Sequence, residues 1–173
     1  TILFYVFVYT IWLKRKTPQN IVIGGASGAL PPVIGWAIAT NSISLESIAF
    51  FLIIFFWTPS HFWALSLYKA DDYKKAGIPM LPVTNGIQDT KKNILIYSLL
   101  MIPTIVFPYY IGFVGEVFLT LSLLLSFYYN LICFQLYNYK VGKFNIKKAR
   151  HIFSYSIIYL FLIFVFFLVD KVL

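Results

Sequence analysis

Long stretches without a charged residue dominate this sequence. No Asp, Glu, Lys or Arg occurs in five stretches, 17–45, 47–68, 93–115, 117–139 and 151–169. Each is about long enough to cross the ~30 Å hydrocarbon layer of a membrane as an α-helix. Residues 1–13 are equally apolar but shorter, and we expect them to be the end of a helix that begins before Thr1. The pattern predicts an all-α, polytopic transmembrane helical bundle with six spans in this chain.

The composition excludes most other classes of protein. Apolar residues make up 60% of the chain and charged residues only 12%, whereas soluble domains have ~45–50% and ~25%. Cys133 is the only cysteine, so no disulfide can form within the chain. The net charge of +8 is not accompanied by a soluble basic domain, and we therefore expect no nucleic-acid partner.

The basic residues predict how the spans are oriented. Thirteen of the 14 Lys and Arg residues fall in three clusters, at 14–16, 69–92 and 140–150, and Lys171 is the exception. Alternating crossings put all three clusters on one side of the membrane. The positive-inside rule makes that side cytoplasmic. We expect a bacterial cytoplasmic membrane, with the matrix side of a mitochondrial inner membrane as the alternative.

Two adjacent aspartates lie in the longest polar connection, residues 69–92. Asp71 and Asp72 are two of only six acidic residues, and lysines, including Lys69, surround them. Mg²⁺ prefers oxygen ligands and is commonly held by one or two carboxylates together with substrate phosphates, and lysines bind phosphates as point charges. The segment is therefore a candidate site for Mg²⁺ and a phosphorylated substrate. The alternative is a solvated loop whose charges pair with one another.

A second polar cluster precedes the first long span. Lys14 and Arg15 are followed closely by Thr17 and Asn20. Basic residues alone would be explained as an anchor at the membrane surface. An anchor does not need an amide at the start of a span, so Asn20 favours a binding role.

The first long span is rich in small residues. Gly24, Gly28 and Gly35 are four and seven residues apart and share one helix face. Such a face lets another helix or a flat ligand approach the backbone closely, so helix packing and a cavity wall both remain open. Pro31 and Pro32 should bend or break this helix at mid-depth.

The end of the second long span contains a histidine among aromatic residues, in the run Trp57-Thr-Pro-Ser-His-Phe-Trp63. Ionisable side chains inside spans are rare and usually face an interior or a cavity. If the helix continues, His61, Tyr68 and Asp72 form one stripe that ends in a carboxylate. The alternative is a packed histidine with a satisfied hydrogen bond.

These segments together resemble the UbiA-type intramembrane aromatic prenyltransferases, and within them the protohaem IX farnesyltransferases. Lys-Arg-x-Thr is typical of the whole superfamily, whereas the His-Phe-Trp and Asp-Asp-Tyr blocks are typical of the haem branch. Three blocks carry the resemblance: Tyr9-x-x-x-x-Lys-Arg-x-Thr17-x-x-Asn-Ile-Val-Ile-Gly-Gly25 through Gly28-Ala-x-Pro-Pro-x-x-Gly-Trp36; Trp57-Thr-Pro-x-His-Phe-Trp-Ala-Leu65; and Asp71-Asp-Tyr-x-x-Ala-Gly-Ile-Pro-Met-Leu-Pro-Val83.

The resemblance implies a bundle of nine transmembrane helices around a central cavity, with two acidic motifs on the cytoplasmic side. The six spans then correspond to helices four to nine, and residues 1–173 form a single transmembrane prenyltransferase domain that lacks its N-terminal helices. The first acidic motif would lie before Thr1. The second departs from the superfamily pattern Asp-x-x-x-Asp, since Lys75 and Ala76 stand four residues after Asp71 and Asp72.

The implied activity is transfer of a farnesyl group from farnesyl diphosphate to a vinyl group of protohaem IX (haem b), which makes haem O for terminal oxidases. Haem b is then a substrate and Mg²⁺ the cofactor. The implied partners are the two substrates, the lipid bilayer, and haem A synthase or oxidase assembly proteins. We expect this segment alone to be inactive, because it lacks the first acidic motif.

The resemblance also suggests roles for individual residues. Asp71, Asp72, Lys14 and Arg15 are the candidate catalytic residues, and the two aspartates bind the metal. Diphosphate binding is expected from Lys14, Arg15, Lys69 and Asn20. The acceptor pocket is expected to include His61, Trp57, Trp63, Tyr68 and Gly28, and Trp57, Phe62 and Trp63 are the candidates for its aromatic walls.

Two other functions remain open on the sequence. One is another membrane prenyltransferase, acting on a quinone or chlorophyll precursor. The other is half of a transporter or channel bundle. Transporters place ionisable groups near the midplane of the bilayer, and only His61 could do so here.

Overall fold

A computed structural model describes residues 1–172 of the chain, and helices account for most of it. No β-strand occurs among these residues. A π-helix at Phe4–Leu13 is followed by eight α-helices: α1 (Asn20–Ala29), α2 (Pro31–Thr40), α3 (Leu45–Tyr68), α4 (Ala70–Lys75), α5 (Leu81–Thr84), α6 (Gly86–Tyr110), α7 (Glu116–Tyr137) and α8 (Ile146–Val172).

The predicted helical bundle is confirmed. Helices α1 and α2 together, and α3, α6, α7 and α8 singly, are long and apolar enough to cross a membrane, and Phe4–Leu13 is a shorter apolar helix. Helix α6 begins at Gly86, well before the charge-free stretch at 93–115, and α8 begins at Ile146 rather than near 151. The absence of charge marks the lipid-embedded part of a helix, but the helix continues into the polar interface. The connection at 69–92 is consequently shorter than expected and is itself partly helical.

The proline pair divides the first long span as predicted. Helix α1 ends at Ala29 and α2 begins at Pro31, since proline has no N–H to donate but fits the first turn of a helix. The Ile34 N–H still donates to the Leu30 carbonyl at 3.0 Å. The span therefore bends at this point without ending, and it terminates at Asn41 in the left-handed conformation, with φ of 55°.

Helix α3 is the centre of the fold. It packs against α6 and α8, and α7 packs against both of these, so that the four helices form a bundle. Helix α1 packs on the other side of α3, and the π-helix packs on α1. Hydrogen bonds between hydroxyl groups cross this bundle at Ser60 with Tyr129 and at Ser126 with Tyr159, both at 2.9 Å. Such pairs satisfy polar groups that hydrocarbon cannot.

The basic connections meet at one end of the bundle. The ammonium of Lys91, a fully buried residue, donates to the Tyr139 carbonyl at 2.6 Å and to the Lys140 carbonyl at 3.4 Å. The guanidinium of Arg150 lies 5.5 Å from the centre of the Tyr68 ring. These contacts join the connections after α3 and α7, as the alternation of crossings predicts.

A carboxylate from α8 closes the opposite end. Asp170 accepts hydrogen bonds from the Gly115 N–H at 2.7 Å and from the Phe118 N–H at 3.1 Å. These are free N–H groups at the start of α7, where a negative charge is also favoured by the helix dipole.

Replacing Asp170 with alanine is expected to lower the free energy of unfolding by about 1–2 kcal/mol, because two N–H groups lose their acceptor. Thermal unfolding in detergent measures the effect. Asp89→Ala is the control, since Asp89 is exposed in the first turn of α6. Equal midpoints for the two variants would contradict a capping role for Asp170.

Candidate active site

An apolar cavity of about 450 Å³ lies between the π-helix, α1 and α3. Of the residues predicted for an acceptor pocket, Gly28 and Trp57 line it. Phe62, a predicted aromatic wall residue, lines it as well, and so do Tyr9 and Thr58, which belong to the motif blocks but were given no role from the sequence. The full lining comprises Thr1, Ile2, Tyr5, Tyr9, Ile21, Gly24, Gly25, Ser27, Gly28, Ile54, Trp57, Thr58 and Phe62.

The glycines of α1 take part both in helix packing and in the cavity wall, the two roles that the sequence left open. A Cβ on Gly24 would lie 2.5 Å from the Tyr9 ring, and one on Gly25 would lie 3.1 Å from the Thr58 side chain, so both allow close packing. A Cβ on Gly28 would meet nothing within 4 Å. Helix α1 is therefore tightly packed at Gly24 and Gly25 and open to the cavity at Gly28.

Polar groups gather where the cavity meets Tyr9. The Lys14 ammonium lies 5.9 Å from the centre of the Tyr9 ring. Asn20 is 1% exposed, and its amide nitrogen donates to the Lys14 carbonyl at 3.0 Å. The side chain of Arg15, by contrast, is exposed.

The buried amide of Asn20 is only half satisfied. Its Oδ1 has no hydrogen-bond partner within residues 1–172. An acceptor left unpaired in a protein interior costs about 1–3 kcal/mol, and carbonyl oxygen is a donor atom for hard cations. The predicted binding residue Asn20 therefore has a buried, unpartnered oxygen next to the main chain of Lys14.

The two aspartates lie in the first turn of the short helix α4. The end of this helix is fixed by its own motif sequence: Gly77 has a φ of +65°, the Gly77 N–H donates to the Lys74 carbonyl, and the Ile78 N–H donates to the Tyr73 carbonyl. This is a Schellman motif, which needs glycine at the left-handed position. The Ala-Gly-Ile part of the block thus ends the helix that carries the acids.

The predicted continuous stripe from His61 to Asp72 is wrong beyond Tyr68. Helix α3 ends there, because Lys69 leaves the helical conformation with φ of −115° and ψ of 16°. His61 and Tyr68 do share a face, since their ring centres lie 4.5 Å and 6.3 Å from that of Phe153. Asp72 lies past the break on a separate helix.

Both carboxylates are open to solvent. Asp71 and Asp72 are exposed, and Asp72 pairs with Lys69 at 3.1 Å. Burial raises the pKa of the neighbouring Tyr73 phenol above its usual value, and the Tyr68 phenol and the Asp72 carboxylate raise it further. Tyr73 therefore remains a hydrogen-bond donor at neutral pH.

The carboxylates of Asp71 and Asp72 fit a hard divalent cation whose remaining coordination positions are filled by the substrate. Within residues 1–172, no group of three or more His, Cys, Asp or Glu side chains could hold a metal by itself. Two adjacent exposed carboxylates leave coordination positions for phosphate oxygens, which is the usual arrangement for Mg²⁺.

The remaining predicted acceptor residues face other helices. His61 stacks between Trp57 and Phe153, with ring centres 4.3 Å and 4.5 Å away. Trp63 is wholly buried and meets Tyr97 of α6 edge to face. Tyr68 lies under Arg150 of α8. Trp57 is the one of these aromatic residues that joins the cavity to His61.

Comparison with known proteins gives the family. The model of the UbiA prenyltransferase family matches residues 1–157. The chain belongs to the UbiA prenyltransferase family. No solved structure matches it.

Several curated relatives share one name. The chain is 76% identical over all of its 173 residues to the protoheme IX farnesyltransferase of Pelagibacter ubique, of which it covers 57%. It is 50% identical over its whole length to that of Parvibaculum lavamentivorans, of which it covers 54%. It is 52% identical over 95% of its length to that of Azorhizobium caulinodans, of which it covers 53%. The chain thus spans about half the length of these relatives.

Family membership answers one of the questions that the sequence left open. A UbiA prenyltransferase is an enzyme, so the alternative of a transporter or channel half-bundle is no longer needed. Members of this family generally use a divalent metal with diphosphate substrates. The oxygen ligands at α4 are consistent with that chemistry.

Gly28→Leu in the full-length UbiA prenyltransferase is expected to lower prenyl transfer, because its side chain enters open cavity space. Gly35→Leu is the matched control: Gly35 also has nothing within 4 Å of a built Cβ, but it does not line the cavity. Thermal unfolding should respond similarly in both variants. If Gly28→Leu and Gly35→Leu retain the same activity, the cavity does not hold substrate.

Proposed function

We propose that this chain is the C-terminal part of a membrane prenyltransferase that transfers the farnesyl group of farnesyl diphosphate to a vinyl group of haem b, giving haem O. The observation that carries the proposal is the junction at Tyr9. Tyr9 is one of the residues that line the apolar cavity, the Lys14 ammonium lies 5.9 Å from the centre of that ring, and Asn20, whose Oδ1 has no partner among the described residues, donates to the Lys14 carbonyl. Farnesyl diphosphate likewise consists of a long apolar chain with a charged diphosphate head.

The choice of acceptor rests on the relatives. Their shared name, protoheme IX farnesyltransferase, and the 76% identity to one of them support haem over a quinone or chlorophyll precursor. The same resemblance supports a bacterial cytoplasmic membrane with the basic end of the bundle in the cytoplasm. Haem A synthase or oxidase assembly proteins are then the expected protein partners.

The diphosphate end has the groups that such a reaction needs. Asp71 and Asp72 would hold Mg²⁺, which when bound neutralises charge on the leaving diphosphate. Lys14, Arg15 and Lys69 would supply positive charge to the diphosphate. Stabilising charge that develops in the transition state is usually the largest single contribution to catalysis.

The cavity end controls the fate of the farnesyl group after the diphosphate departs. The diphosphate leaves the allylic carbon with the bonding electron pair, a vinyl carbon of the acceptor bonds to that carbon, and water adds to the resulting cation with loss of a proton, giving the hydroxyethyl group. Tyr9, Trp57 and Phe62 line the cavity, and aromatic faces stabilise positive charge. Apolar walls keep water away from the allylic cation before the vinyl group attacks.

Asp72→Ala in the full-length protein is expected to lower Mg²⁺-dependent formation of haem O by about 10²–10³-fold, because one electrostatic stabiliser of the transition state is lost. Asp71→Ala, measured beside it, shows which carboxylate contributes more. Asp89→Ala is the control for an exposed acid at the same end. Chromatographic analysis of extracted haem, with membrane levels checked by immunoblotting, gives the result. Wild-type activity in Asp72→Ala would remove Asp72 from the site.

Residues 1–173 expressed alone are expected to insert into the membrane but to form no haem O, because we place half of the metal-binding acids in the preceding segment. Co-expression of the N-terminal segment of the full-length protein is expected to restore activity. Haem O made by residues 1–173 in a host that lacks its own enzyme would refute the expectation.

A further inference from the structure

A cavity of about 240 Å³, separate from the candidate active site, lies between the end of α7 and the beginning of α8. It is lined by Ile132, Gln135, Lys147, Lys148 and His151, none of which lines the candidate active site. The stretch of α8 without Asp, Glu, Lys or Arg begins at residue 151. The cavity is therefore expected at the level of the lipid headgroups rather than within the hydrocarbon.

Contacts at the start of α8 hold the two lysines of this cavity in place. The Asn145 Oδ1 accepts hydrogen bonds from the main-chain N–H of Lys147 at 2.9 Å and of Lys148 at 3.3 Å, which caps the helix. The Lys148 ammonium donates to the Gln135 carbonyl in the last turn of α7 at 3.5 Å. An ammonium has three hydrogens to donate. Lys148 can therefore bind the main chain of α7 and a ligand at the same time.

The positive charge of the cavity is not balanced by an acid. None of the six acidic residues of the chain lines it. Among the described residues, Lys69 and Asp72 form the only ion pair, so neither lysine of the cavity has a carboxylate partner there. The first turn of α8 adds partial positive charge through the helix dipole. These charges together favour an anionic ligand.

Apolar surface continues from the cavity towards the middle of the bilayer. Ile132, which is 6% exposed, forms its apolar side. On α7, Tyr128 precedes Gln135 by about two helical turns and is 42% exposed. On α8, Ile158 follows His151 by about two turns and is 53% exposed. A ligand with an anionic head and apolar chains matches both parts of this surface.

We propose that this cavity binds the headgroup of an anionic phospholipid from the leaflet at the basic end of the bundle. Lys147 and Lys148 bind the phosphate, and the acyl chains lie against α7 and α8 over Tyr128 and Ile158. Basic pockets between transmembrane helices on the cytoplasmic side bind such headgroups in other membrane proteins. The proposal concerns a surface outside the substrate cavity and does not depend on the proposed reaction.

Lysines that only orient the helix in the membrane would behave differently. Such residues act through their number and their side of the membrane, and they would not prefer one lipid to another. A site for free phosphate is a third possibility, because the same ammonium groups would bind an ion that has no acyl chains. The identity of the bound lipid and the effect of added phosphate separate the three possibilities.

The test uses the full-length protein in detergent, titrated with phosphatidylglycerol or with zwitterionic phosphatidylcholine, and native mass spectrometry measures the affinity for the first bound lipid. We expect the wild type to bind phosphatidylglycerol more tightly than phosphatidylcholine. Lys147→Gln/Lys148→Gln is expected to weaken phosphatidylglycerol binding by about 30-fold, since each lysine near an anionic membrane surface contributes about fivefold. Lys147→Arg/Lys148→Arg keeps both charges and is expected to retain the affinity of the wild type.

Lys75→Gln/Lys92→Gln is the matched control. Both are exposed lysines of the same basic end, their replacement removes the same charge, and neither lines the cavity. The control is expected to bind phosphatidylglycerol as the wild type does. An equal loss of affinity in the two glutamine variants would show attraction to total charge and would overturn the site. Equal binding of the two lipids by the wild type would overturn it as well.

A phosphatidylglycerol with a photoreactive diazirine in its acyl chain tests the site in the wild type without any substitution. Labelling is expected on α7 and α8 around Tyr128 and Ile158, and labelling confined to other helices would overturn the proposal. Inorganic phosphate at millimolar concentration should leave the labelling unchanged. Loss of the labelling under that condition would assign the cavity to a free phosphate ion and overturn the lipid site.

Discussion

Hydrocarbon offers no hydrogen-bonding partner, and the arrangement of this molecule depends on that constraint. Some polar side chains inside the spans bond to one another, as Ser60 does with Tyr129 and Ser126 with Tyr159, whereas the Trp63 Nε1 and the Ser122 Oγ have no partner among the described residues. Charged groups are confined to the helix ends, where Lys91 reaches the carbonyls that follow α7. The interior can then contain an apolar cavity, and ionic chemistry is restricted to its polar end.

The features that could be predicted from the sequence are those that depend on local pattern. Charge-free stretches predicted the spans, and the Pro31–Pro32 pair predicted the bend that divides α1 from α2. The glycines of α1 were correctly expected to allow close approach, since proline and glycine act through the backbone of their own segment. Helix ends were less accurate, because helices such as α6 extend beyond the lipid-embedded part.

The features that could not be predicted depend on which helices pack together. Trp57, His61 and Trp63 lie within one short run, yet they face the cavity, α8 and α6 respectively. Helical periodicity gives the angle between these side chains but not the identity of their neighbours. Ser156, whose hydroxyl hydrogen-bonds the His61 imidazole, is 95 residues from it in the chain, and no local pattern connects the two. The break at Lys69 was missed because nothing in its sequence neighbourhood forbids a continued helix.

The acidic helix α4 combines a fixed backbone with side chains that are free to change partners. Its C-terminal end is held by the Gly77 turn, whereas the Asp72–Lys69 pair is 62% and 53% exposed. An exposed ion pair of this kind contributes only about 0–1 kcal/mol, so replacing it with a diphosphate and its metal costs little. A buried, well-bonded pair in the same position would resist that exchange by several kcal/mol. Exposure of Asp71 and Asp72 therefore leaves both carboxylates accessible to a diphosphate, and the Lys69–Asp72 pair is equally what the alternative of a solvated loop with paired charges predicts.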